Sequence, residues 1–137
     1  MPFTDPEREY LLNQPLGRLA TLGPDGGPQV RPVLFELNLT TGTIDIGGWD
    51  MAATQKFRNV RTRRQVSFIV DDVVSTDPYL ERGVEIRGRA QPVPGHGPLY
   101  DGCSADIIRV HPCRIVAWGL DCTTPVTLTA RDVLRTR

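Results

Sequence analysis

The sequence lacks net charge: its 16 basic and 16 acidic residues cancel. The electrostatic footprint of a dedicated nucleic-acid or anionic-membrane binder is therefore missing at the level of the whole chain. Any anion binding must come from local patches. Long apolar runs are also missing, and no stretch approaches the ~20 residues of a membrane-spanning helix. The opening MPFTDPEREY has neither the basic start nor the apolar stretch of a secretory signal, so a cytoplasmic location is expected. Cysteine is scarce and odd in number, with Cys103, Cys113 and Cys122 making three, so no disulfide framework is expected. Lysine is scarcer still. Of the 16 basic residues Lys56 alone is not an arginine, a bias that resembles high-GC bacterial codon usage. The 137 residues suit a single domain over 1–137. Such a chain buries about two-thirds of its unfolded surface, enough for one core but not to enclose a large cofactor alone. A large ligand is expected at a subunit interface.

What is present reads as short strands with one internal helix. Thr4 and Glu7 form a capping box with Pro6 in the first turn, which predicts a helix over about 5–14. Residues 17–22 and 29–38 read as strands around the turn Pro24-Asp25-Gly26-Gly27-Pro28. Residues 43–48 alternate Ile44 and Ile46 with polar neighbours, the period of a half-buried strand. Asp50 is a candidate N-cap for a helix over 51–63 with Ala53, Phe57 and Val60 on its apolar face. Residues 65–70, ended by Asp71-Asp72, then 83–93, and 107–110 with 115–120 around His111-Pro112 supply the remaining strands. Hairpin order with one inserted helix argues for a closed or nearly closed antiparallel barrel, because closure removes exposed edges.

Chemistry concentrates in TIDIGGWDMAATQKFRNV, residues 43–60, which runs strand, glycine pair, cap and helix. Free N–H groups at a helix start attract phosphate, and glycines let a ligand approach the backbone. Thr54 and Gln55 add donors, and Lys56 adds a point charge. The competing reading is a glycine turn with a solvated helix face.

Taken together, GRLAT (17–21), PDG (24–26), PQVRPV (28–33), KFRNV (56–60), Asp71-Asp72, RGVEIRG (82–88) and IVAWGL (115–120) resemble the pyridoxamine 5′-phosphate oxidase-like split β-barrel family. The likeness is strongest to its actinobacterial branch that uses the deazaflavin coenzyme F420. That resemblance implies a mainly β, six-stranded antiparallel split barrel with a few short helices, paired as a homodimer with cofactor at the interface. It implies an oxidoreductase passing a hydride from reduced F420 to a small planar organic substrate; FMN is the alternative cofactor, and a non-catalytic flavin or haem carrier the alternative role. By position, Gln29, Val30, Arg31, Pro32 and Val33 with Ile46, Gly47 and Gly48 would line the ring. Thr54, Gln55 and Lys56 would hold the phosphate, and Trp118 would close the site from the partner chain. The Ser-Arg-Lys clamp of the B6 oxidases proper is replaced here by Thr54-Gln55-Lys56, which argues against vitamin B6 as substrate.

The Cys/His spacing from Cys103 through His111 and Cys113 to Cys122 matches no paired-ligand zinc pattern, so no metal site is expected. The basic run Arg58, Arg61, Arg63 and Arg64 has few aromatics beside it for base stacking; it suits a solvated face or the acidic tail of a deazaflavin better than nucleic acid.

Overall fold

The computed structural model describes residues 1–121 and 126–133. Helix α1 (Asp5–Leu12) forms the expected capping box: Thr4 Oγ1 accepts from the Glu7 N–H at 3.3 Å while Glu7 Oε1 accepts from the Thr4 N–H at 2.9 Å. It stops two residues before the expected end, where the Asn13 amide folds back to donate to the Glu9 carbonyl.

Strands β1 (Leu16–Leu22), β2 (Pro28–Asn38) and β3 (Thr43–Gly47) form the meander read from the sequence. Their first turn is built as its composition demands. Gly26 takes φ 82°, and Asp25 Oδ1 accepts from the Gly27 N–H. The internal helix differs from expectation. Asp50 makes no side-chain cap; Met51–Ala53 form one 3₁₀ turn, and α2 (Gln55–Thr62) starts from Thr54. The Thr54 hydroxyl explains the split, because it donates to the Met51 carbonyl and accepts from the Phe57 N–H. Phe57 and Val60 are buried as expected, whereas Ala53 is exposed.

Strands β4 (Gln65–Thr76) and β5 (Tyr79–Val93) make a hairpin that continues past Asp71-Asp72, where the sequence suggested an end. Asp72 does not break the strand because Arg82, its register partner, and the Tyr10 hydroxyl satisfy its carboxylate. Strand β6 (Ile107–Trp118) likewise runs unbroken through His111-Pro112. A register shift beside Gly88 absorbs the irregularity, and proline's missing N–H is tolerated at such a bulge. Strand β7 (Leu128–Asp132), not anticipated, adds to the outer edge of β6.

The sheet order is β3-β2-β1-β4-β5-β6-β7, and β3 also pairs with β6 through Ile44–Val110 and Ile46–Ile108. That pairing closes the antiparallel barrel. Leu19, Ile44, Ile46, Phe68, Ile86 and Ile115 fill it with side chains at most 1% exposed. Phe35 and Phe68 meet edge to face at 5.1 Å. Gly17 makes room for that pair, since a Cβ there would sit 2.2 Å from Phe68 Cζ.

Two buried ion pairs lock the wall. Arg109 donates to both oxygens of Asp45 at 2.9 and 3.0 Å across the β3–β6 seam, with Asn38 and Thr43 donating to the same carboxylate. Arg131 of β7 donates to both oxygens of Glu7, fastening α1 to the last described strand. Burial, the largest single influence, raises both carboxyls, but the arginine hydrogen bonds and charge together with the Thr4, Asn38 and Thr43 donors hold each below its ordinary value.

Candidate functional site: a cation pair beside an apolar shelf

Strand alternation divides β2. Val33, Phe35 and Leu37 point into the core, and Gln29 and Arg31 share their side near the mouth of the barrel. Val30, Pro32 and Leu34 point outward, with Val30 59% and Leu34 37% exposed. Leu16 stands opposite Leu34, and Ala20 opposite Val30, on the same outer surface. The result is an apolar shelf on the outside of β1 and β2.

Helix α2 meets the inner side of this mouth. The buried Asn59 amide donates to Thr21 Oγ1 at 2.9 Å and to Gln29 Oε1 at 3.0 Å, fixing the helix against β1 and β2. That anchorage brings Lys56 near Arg31. Burial lowers the Lys56 pKa, and the Arg31 charge lowers it further. Among the described residues neither side chain has a carboxylate partner. The N–H groups of the first helical turn lack intrahelical acceptors by construction. Two neighbouring cations of like sign repel each other, so this arrangement fits an anion placed between them.

The other expected phosphate ligands are otherwise engaged. Thr54 spends its hydroxyl on the cap, and Gln55 donates to Asn59 Oδ1 while accepting from Arg58. Of the trio Lys56 alone has no side-chain partner among the described residues, and Arg31, which sequence position assigned to the ring, stands near it. Gln29 is bound to Asn59, and Val33 and Ile46 are 4% and 0% exposed with their side chains in the core. Val33 and Ile46 therefore offer a ligand no side chain, whereas exposed Gln29 still presents its Nε2.

Gly47 and Gly48 are not an open surface. The segment 94–106 crosses them. Leu99 and Cys103 pack against Gly47, and the Ser104 N–H and hydroxyl both donate to the Gly48 carbonyl at 2.8 and 3.2 Å. The Tyr100 hydroxyl donates to the Phe35 carbonyl at 2.6 Å. Burial raises the Tyr100 pKa, so this phenol is a wall rather than a ready acid. The three glycines and two prolines of residues 94–102 mark a loop, but spacing alone does not reveal that it covers the glycine pair. Trp49 follows directly and is 82% exposed. Continuing the Leu34–Gly47 register by two residues sets it opposite Pro32, at the edge of the shelf.

Trp118 lies elsewhere in the protomer. It pairs with Gly83 and Leu128, eight residues beyond Val110, the last β6 residue to meet β3. At about 3.3 Å per residue this is roughly 26 Å along the strand. Within one protomer it stands on the β5–β6–β7 side of the sheet. Among the described residues no group of three or more His, Cys, Asp or Glu side chains comes within range of a metal ion. Cys122 lies outside the described residues.

The pyridoxamine 5′-phosphate oxidase family description matches residues 3–131. The chain is 46% identical over 134 residues to a 5a,11a-dehydrotetracycline/5a,11a-dehydrooxytetracycline reductase of Streptomyces rimosus, covering 97% of this chain and 94% of that protein. Its structure is similar to one described as F420 reductase, at 28% identity and a TM-score of 0.60, covering 78% of this chain and 94% of the other. The FAD binding protein from Mycobacterium smegmatis shares the fold at 22% identity and a TM-score of 0.60, covering 80% and 88%.

Proposed function

Since the chain belongs to the pyridoxamine 5′-phosphate oxidase family and is an oxidoreductase of the split-barrel type, we propose that it is a coenzyme F420-dependent reductase. Its substrate is a planar, conjugated polycyclic compound of the dehydrotetracycline kind. The observation that carries the cofactor reading is the unpartnered Arg31–Lys56 pair beside an exposed apolar shelf: two cations suit a phosphate, and Val30, Pro32 and Leu34 suit the face of a fused ring. The substrate class comes from the Streptomyces reductase, whose likeness spans nearly the full length of both chains.

A reduced deazaflavin held here would supply the hydride for reduction of a conjugated C=C bond, with the accompanying proton drawn from solvent. This chain's residues bind and orient. Lys56 and Arg31 hold the phosphate, the β2 backbone and shelf support the ring, and segment 94–106 with Trp49 walls the substrate side. None of them needs to exchange a proton, which fits chemistry carried by a cofactor. We also assign a homodimer. The shelf lies open, with Leu16, Val30 and Leu34 38%, 59% and 37% exposed, and a second copy seated there would cover these residues and contribute Trp118.

Titration of the apoprotein with F420 and with FMN tests the reading. Tighter binding of F420, followed by turnover of a dehydrotetracycline with the reduced coenzyme, is expected. Preference for FMN overturns the cofactor, and binding without turnover of any conjugated enone makes the protein a carrier. Light scattering should give a dimer, and Leu34→Glu a monomer; a monomeric wild type removes Trp118 from the site.

A further inference from the structure

A second concavity lies apart from the Lys56 mouth. It is an open groove of about 800 Å³ bounded by the β2–β3 turn, Met1 and Pro2, the middle of β5 and β6, and the end of β7. Alternation explains which side chains enter it. Gly88 and Ala90 are buried, so Arg89 and Gln91 face outward, and His111 stands directly opposite Arg89 in the β5–β6 register. The bulge shapes this place: a Cβ on Gly88 would sit 2.3 Å from the His111 carbonyl oxygen, so only glycine lets β6 come so close. Nε2 of His111 is 3.0 Å from Gln91 Oε1, which holds the ring across the floor. Arg64 enters from two residues beyond α2, where its carbonyl accepts from the Ala90 N–H.

The charges do not balance. Arg131 is matched by Glu7, and Asp132 by Arg114, but Arg64 and Arg89 have no carboxylate partner among the described residues. Pro2, Leu39 and Val133 give the lining an apolar part, beside Thr40, Thr41 and Asp132. The volume falls within that of small-molecule sites. We propose that this groove binds a small oligoanion with an apolar portion, a phosphate ester or a polycarboxylate, gripped by the guanidinium forks of Arg64 and Arg89. The two forks take two acidic groups bidentately, and the apolar part of the lining covers the remainder. This site is separate from the cofactor cradle and does not depend on which cofactor fills it.

Calorimetric titration of the full chain with inorganic pyrophosphate and, separately, with citrate at fixed ionic strength tests the proposal and tells the two anion sources apart. Saturable binding of at least one probe is expected. Arg64→Ala and Arg89→Ala should each weaken it about ten- to a hundredfold while leaving the unfolding midpoint in place. Lys56→Ala should leave it unchanged. Absence of binding by either probe, or equal affinity in wild type and Arg89→Ala, overturns the site. Loss of binding in Lys56→Ala overturns it too, because the anion would then occupy the cradle; that outcome leaves the cofactor reading intact.

Discussion

At the β3–β6 seam an arginine meets its carboxylate: Arg109 and Asp45 share two hydrogen bonds, with the Asp45 side chain 2% exposed. At the mouth formed by β2 and α2 a lysine lies near an arginine, and among the described residues neither has a carboxylate partner. Both regions take basic groups partly out of water. The seam answers with a carboxylate, two neutral donors and correct geometry, so its charges serve the fold alone. The mouth leaves like charges adjacent, which costs stability unless something from outside the chain completes them. Arg109 has its carboxylate, whereas Lys56, half-buried beside Arg31, has none among the described residues, and a ligand there would supply the missing charge.

The comparison breaks most visibly at the seam. Arg109→Ala leaves Asp45 buried with only Asn38 and Thr43 as donors. Removing one partner of a buried pair costs about 3–5 kcal/mol, and the retained neutral donors favour the low end. Urea unfolding should show this loss; a change below about 1 kcal/mol would mean that the closing ladder holds without its clasp. Lys56→Met at the mouth should behave oppositely. Unfolding without ligand should be unchanged or slightly harder, because a repulsion disappears. Cofactor affinity should drop ten- to a hundredfold, about 1.5–3 kcal/mol, as a charge-assisted bond to phosphate is lost. Unaltered affinity in both Lys56→Met and Arg31→Met would strip the mouth of its assigned role.

Titration separates the two regions by pH range. Glu7 and Asp45 are held low by their arginines against the effect of burial, and Asp72 is held low by Arg82. In the acid range the unfolded chain therefore binds more protons at these sites. Their stabilisation is complete above the unfolded carboxylate pKa of about 4 and is lost as pH falls through the lower folded values. Lys56 is also lowered, but its charged form is the disfavoured one. Between its folded pKa and the unfolded value of about 10.4 the unfolded chain again binds more protons, so ligand-free stability should gain a rising alkaline contribution. Denaturation midpoints followed from pH 7 to 10 should show that contribution in wild type and lose it in Lys56→Met. A saturating phosphate ligand should abolish it as well, since an anion restores the charged form. An identical alkaline profile in the variant would mean that Lys56 is not under strain.

The barrel was legible because its evidence is periodic. Ile44 and Ile46 alternate, Pro24-Asp25-Gly26 marks a turn, and Thr4 with Glu7 caps a helix, all within a few residues of one another. Misread boundaries trace to partners distant in sequence. Asp72 looked like a strand end until Arg82 and Tyr10 were seen to satisfy it, and His111-Pro112 looked like a break until the Gly88 bulge accommodated it. Asp50 lost the cap to Thr54 by four residues, a local competition that propensity does not rank. At the site, Lys56 stood out as the lone lysine, but its neighbour Arg31 depends on Asn59 pinning α2 to Thr21 and Gln29. The cover over Gly47 depends on Leu99 and Cys103, some fifty residues away. Sequence spacing carries neither fact.

The smallest effect sharpens what the seam teaches. Arg18 on β1 donates to Asp71 at 2.8 Å, a shorter contact than either Arg109–Asp45 bond, yet the two side chains are 41% and 49% exposed. If bond length set the worth of a pair, Arg18→Ala would cost as much as Arg109→Ala. Burial argues otherwise: in water both Arg18 and Asp71 regain hydrogen bonds when separated, salt screens their attraction, and fixing two mobile side chains costs entropy. Arg18→Ala should therefore cost about 0–1 kcal/mol in urea unfolding, shrinking further at high salt, whereas the loss in Arg109→Ala should be nearly independent of salt. Equal losses in the two variants would show that hydrogen-bond geometry rather than removal from water governs these pairs. The unpartnered cations at the mouth would then lose the energetic contrast that singles them out.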